Sequence, residues 1–100
     1  MSIIEFMNLK IDKIRGIIRT IENDPFDSQE FIRCFTKEFE LEYIVFLGKY
    51  DKEQYRKVHA QIALFLSLNK DLLNIKHVGV NQNPNVFGIE STNERWVKNY

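Results

Sequence analysis

Apolar residues near the start of the chain fall at Ile4, Met7, Ile11, Ile14, Ile18 and Ile21. These alternating spacings of three and four predict a helix over about residues 3–22 with a heptad-like seam. Ser2 with Glu5 three residues later forms a capping box at its start. Asn23-Asp24-Pro25 ends it, since proline restrains the residue before it and cannot continue the ladder. Gly16 is a weak point inside the helix. Glu5, Lys10, Asp12, Lys13, Arg15 and Arg19 cover the flanks of the seam, which leaves a narrow apolar stripe of the kind used in helix pairing. Ile4, Met7, Ile11, Ile14, Ile18 and Ile21 are therefore expected to mediate self-association as a two-fold dimer. Packing of the same stripe on Leu64 and Leu68 of its own chain is the alternative.

Two further helix starts share one pattern, Phe26-Asp27 with Glu30-Phe31 and Tyr50-Asp51 with Gln54-Tyr55. In each, the aspartate can accept from early helix amides, the Glu or Gln can return the bond, and the flanking aromatics can close as a staple. Phe31, Ile32, Phe35 and Phe39 form one side of the second helix. The segment "FELEYIVFLGKY" fits two periods: Phe39, Leu41, Tyr43 and Val45 alternate as in a strand, while Tyr43, Phe46, Leu47 and Tyr50 recur as in a helix. Helix to about residue 48 is expected, with Gly48 as its stop. A third helix is expected over about residues 52–69, with Tyr55, Val58, Ile62, Phe65 and Leu66 as its buried stripe. "LNIKHVGV" and "VFGIE" have strand composition and flank "NQNPN", which predicts a hairpin with a turn at Asn81–Asn85. In the tail, Ser91 with Glu94 suits a short helix start, and Trp96 offers an anchor to the domain.

The composition supports a single domain, since 44% of 100 residues are hydrophobic and eight are Phe, enough apolar surface for one core. Lysine plus arginine and aspartate plus glutamate each total 14, so the whole chain has no strong field of either sign. The local balance differs. Residues 22–42 carry seven acids against Arg33 and Lys37, a net of −5, whereas residues 52–81 carry Lys52, Arg56, Lys57, Lys70 and Lys76 against Glu53 and Asp71, a net of +3. Cys34 is the lone cysteine, so no intramolecular disulfide is available; between Phe31 and Phe35 it suits a small buried hydrophobe. No stretch reaches the roughly 18 apolar residues of a membrane span, and no basic segment precedes an apolar run and cleavage site, so the expected setting is the cytoplasm.

Patterns that carry catalysis are missing. His59, His77 and Cys34 fall on three different predicted elements without metal-ligand spacing. His59, beside Tyr55, Ile62 and Leu66 on the helix, suits a boundary histidine more than a general base. The four glycines are too scattered to cradle a phosphate, and no Gly-x-Ser-x-Gly elbow occurs. The expectation is a protein without enzymatic chemistry, metal or cofactor.

The order of elements, helices followed by a helix with basic residues and then a hairpin with a polar turn, resembles the winged-helix domains over roughly residues 27–91. The likeness implies an α+β fold of three main helices and a β-hairpin, with residues 1–24 as an extra N-terminal helix and 92–100 as a short tail. It also implies a recognition helix at Lys52–Asn69 and a wing tip at Asn81–Asn85. On that likeness the chain is a DNA-binding or regulatory module, and Arg56, Lys57, Gln61, Lys76, Asn81 and Asn83 are the nucleic-acid surface. The chain is also similar to small bacterial proteins of no assigned function. Near-zero net charge leaves few phosphate contacts. The alternative is an adaptor that associates through helical apolar surfaces without binding nucleic acid.

Overall fold

The computed structural model describes residues 1–84 and 88–100, the side chains of Asn83 and Glu90 excepted. Its elements are α1 (Ile3–Leu9), α2 (Ile11–Thr20), β1 (Phe26–Asp27), α3 (Ser28–Glu38), α4 (Glu40–Leu47), α5 (Gln54–Leu68), α6 (Lys70–Leu73), β2 (Ile75–Pro84) and β3 (Glu90–Lys98). The fold is α+β, with helices leading into a C-terminal hairpin, and the antiparallel sheet has the order β1-β3-β2.

The first helix is two helices. Ser2 and Glu5 form the expected capping box, but the helix breaks at Lys10 rather than at Gly16. There the backbone leaves helical geometry, and the Lys10 N–H is shared between the carbonyls of Phe6 and Met7. The break lets α1 pack on α5 while α2 packs on α3, two neighbours that one straight rod would not serve. The seam faces inward: Met7, Ile14 and Ile18 are 0% exposed, Ile21 is 5% exposed, and Ile4 and Ile11 lie half-buried against the same core. Met7, Ile14, Ile18 and Ile21 are core of their own chain and Ile4 and Ile11 pack against it, so the stripe expected to mediate a dimer is used within the chain. Leu64 and Leu68 are not their partners, since both are exposed. The segment 1–24 is thus integral to the domain rather than added to it.

Asp27 caps α3 as expected, its carboxylate accepting from Glu30 N at 2.9 Å while the Glu30 carboxylate accepts from Asp27 N. The second box does not form. The N-cap of α5 is Glu53, in the left-handed region at φ 53° and without a side-chain cap, and Gln54 donates instead to the Tyr50 carbonyl at 2.8 Å. The ambiguous segment is helical: α4 follows α3 after a break at Phe39, whose N–H still reaches Phe35 O at 2.9 Å. Phe39 is buried in an aromatic cluster, edge-on to Phe6 at 5.1 Å and tilted to Phe35 at 5.1 Å. The stripe of α5 is buried at Val58, Ile62, Phe65 and Leu66, whereas Tyr55 is exposed.

The hairpin is longer than the sequence implies. β2 runs through Asn81 to Pro84, so Asn81–Pro84 is strand rather than turn, and Asn85 lies outside the described residues. Of the expected second strand, Val86 and Phe87 lie outside the described residues; Gly88 and Ile89 are not strand, and β3 begins at Glu90. The tail expected to start a short helix is instead the central strand. Its register is set on both sides, Phe26 opposite Trp96 on β1 and Asn81 opposite Asn93 on β2. Non-local pairing overrides the Ser91–Glu94 capping signal here. A shift in register between His77 and Gly79 leaves Val78 as a bulge, and Gly79 at φ 119° supplies a backbone conformation that side-chain-bearing residues rarely adopt. The far end of β2 is tied to α3 by Arg33, whose Nη2 donates to the Pro84 carbonyl at 2.6 Å.

Candidate interaction surfaces

Helix α5 shows three sides. Val58, Ile62, Phe65 and Leu66 face the core with His59 beside them. Opposite lie Arg56, Ala60, Leu64 and Ser67, all exposed, as the 100° step per residue requires. Lys57 and Gln61 form a flank of their own, drawn toward Tyr50: Lys57 Nζ sits 5.4 Å from the Tyr50 ring centroid, and Gln61 Nε2 donates to the Tyr50 hydroxyl and to Lys57 O.

The structure does not gather the expected nucleic-acid residues into one surface. Arg56 is exposed but engaged, its Nη2 2.8 Å from Glu53 Oε2, and that pairing holds the Glu53 carboxyl below its usual range. Lys57 and Gln61 belong to the Tyr50 flank. Lys76 is exposed on β2. Asn81, on the same strand, turns its amide to the buried Asp27, Nδ2 to Oδ2 at 3.3 Å, so it braces the α3 cap. The Asn83 side chain lies outside the described residues. Lys52 and Lys70 remain as further exposed cations, on the two ends of α5.

A groove runs between α5 and β3. Its floor is Ala60 and Ala63, and its walls include Gln29 of α3, Arg56 and His59 of α5, and Thr92 and Glu94 of β3; the cavity measures about 480 Å³. It continues past Leu64, Ser67 and Lys70 to His77, Glu94 and Trp96. His77 Nε2 pairs with Glu94 Oε2, and the His77 ring stands edge-on to Trp96 at 5.2 Å. At the core side of α5, Tyr43 Oη lies 2.6 Å from His59 Nε2. Burial pushes the Tyr43 phenol up to about 12 and lowers the His59 imidazole. Both rings are therefore neutral near pH 7. Among the described residues, no three His, Cys, Asp or Glu side chains come together as a metal ion would need.

Two groups of exposed apolar side chains stand on the helices. Leu64, Leu68 and Leu72, on α5 and the α6 turn that follows, are 49%, 63% and 57% exposed. On α4, Leu41, Ile44 and Val45 are 77%, 57% and 62% exposed. The α4 face is not among the expectations, although its signal is in the sequence: apart from Glu40 and Glu42, "ELEYIVFL" is apolar on every side, and a helix at the edge of a small domain buries one face only. No described helix is long and apolar enough to cross a membrane. Comparison with protein-family models, with curated proteins and with solved structures finds no match to the chain.

Proposed function

We propose that the chain is a non-enzymatic, cytoplasmic protein-interaction module that takes a partner on the outward face of α5 and α6. The observation that carries this reading is Leu64 and Leu68 on α5 with Leu72 on the α6 turn beyond the break at Asn69, each at least 49% exposed. Solvated leucines are a cost in isolation and a gain on docking; full burial of an exposed leucine is worth about 1.5–3 kcal/mol, and covering the roughly half of each that is still solvated contributes about half of that. The neighbouring cations support it from the other side, since Arg56 pairs with Glu53 and Lys57 lies on Tyr50, which leaves a weak field for phosphate.

A second reading, DNA binding in the winged-helix manner, has one observation in its favour: an exposed face on α5 followed in the chain by the long β2–β3 hairpin, the order in which a recognition helix precedes a wing. Fluorescence anisotropy of mixed-sequence duplex DNA at about 50 and 200 mM salt separates the two. The interaction module gives no saturable binding at either salt. Binding that weakens steeply with salt, and that is reduced by replacing Arg56 and Lys76 together with alanine, would reverse the order of the readings.

A further inference from the structure

We infer that the exposed face of α4 is a self-association surface on which two copies of this chain pack α4 against α4, antiparallel, about a two-fold axis. Leu41, Ile44 and Val45 stand at i, i+3 and i+4, the spacing that forms one stripe on a helix surface. Gly48, at i+7, ends that stripe with no side chain, so a second helix can approach closely there. The opposite side of α4 is already committed: Phe46 is buried, 5.6 Å from the Phe6 ring, and Tyr43 is bonded to His59. The outward stripe is thus held on a helix that is fixed from behind.

The charges select the occupant. Glu40 and Glu42 lie in the first turn of α4, and Lys49 follows its last turn, its ammonium donating to the Met1 carbonyl and lying 5.1 Å from the Phe46 ring centroid while the side chain stays exposed. One helix therefore carries an acidic end, an apolar middle and a basic end. An antiparallel second copy sets the acidic end of each helix against Lys49 of the other and opposes the two helix dipoles. A parallel copy sets acid against acid. The stripe is consequently complementary to itself under a two-fold operation, the commonest closed symmetry of homo-oligomers. Beside it lies a shallow cleft of about 360 Å³ bounded by Met1, Leu41, Glu42, Val45, Phe46 and Lys49, an apolar hole with one acid and one base at its edge, into which the second copy's stripe can insert an aliphatic side chain. This surface is separate from the leucine row of α5 and does not depend on that row's partner.

An eight-residue helix covers less than a standard interface, so association is expected in the micromolar range or weaker. Sedimentation velocity over a concentration series, from about 5 µM to 500 µM, should show the mass rising from that of one chain toward twice that value. Val45→Glu, at an exposed position, should keep the circular dichroism spectrum and the melting temperature and should stay monomeric throughout. Lys49→Glu should raise the dissociation constant at least tenfold. Mixing Lys49→Glu with the Glu40→Lys/Glu42→Lys variant should restore association between the two. Leu68→Glu, on the other face, should leave the dimer intact. A parent chain that is monomeric at every concentration overturns the inference, as does a dimer that survives Val45→Glu. A dimer indifferent to Lys49→Glu overturns the antiparallel arrangement.

Discussion

The hydroxyl of Tyr43 on α4 and Nε2 of His59 on α5 are 2.6 Å apart, with their rings stacked at a 22° angle. Burial lowers the His59 pKa, so the fold accepts the neutral imidazole and resists its proton. Above the ordinary histidine value of about 6.5, His59 is neutral folded or unfolded and its contribution is fully present. As the pH falls below that value the unfolded chain takes up a proton that the folded chain resists, and stability declines until the lowered folded-state pKa is passed. Urea midpoints measured between about pH 5 and 7 should fall toward acid in the parent chain and fall less in His59→Phe. Equal slopes in the two would remove His59 as the source.

The two aspartate boxes make a paired prediction. Asp27→Ala removes the cap of α3 and the acceptor of Asn81, and should cost about 1–2 kcal/mol in chemical denaturation. Asp51→Ala, before a helix that begins without a side-chain cap, should stay within about 0.5 kcal/mol of the parent. A large effect at Asp51 would mean that the second box forms after all.

The isoleucines of α2 should behave as core. Ile14→Ala and Ile18→Ala, at positions with no exposure, should each lower stability by on the order of 2–5 kcal/mol. Phe65→Ala, also fully buried, should cost about 3–5 kcal/mol. Light scattering on Ile14→Ala and Ile18→Ala samples that remain folded should report the same association as the parent chain, since these side chains face inward. A selective loss of association there would return the seam to the outside.

What could be read from the sequence was what is decided locally. The Ser2–Glu5 and Asp27–Glu30 boxes need only neighbours three residues apart, and both form. The stripe from Val58 to Leu66 followed from helical period alone. The breaks at Lys10 and Phe39 carry no proline or glycine; the first lies where α1 turns to α5 and α2 to α3, and at the second α3 and α4 share α5 while α3 also reaches α2, β1 and β3, tertiary demands in both cases. β3 is not legible as a strand because Glu90–Arg95 is polar, and its strand form comes from pairing with the adjacent hairpin strand β2 and with β1, about 70 residues earlier in the chain. At the candidate surface, composition showed the cations of residues 52–81 but not their engagement by Glu53 and Tyr50. Leu64 and Leu68 have no role on a DNA-reading helix, and their exposure marks the face now proposed for a partner.

The most direct test of that face is quantitative affinity capture from a nuclease-treated cell extract, comparing the parent chain with Leu64→Glu/Leu68→Glu/Leu72→Glu. All three positions are exposed, so the variant should fold, which its circular dichroism spectrum checks. The account predicts a discrete protein partner retained by the parent despite nuclease and depleted at least tenfold by the variant. Equal capture by the two chains, or capture that nuclease abolishes, would contradict it.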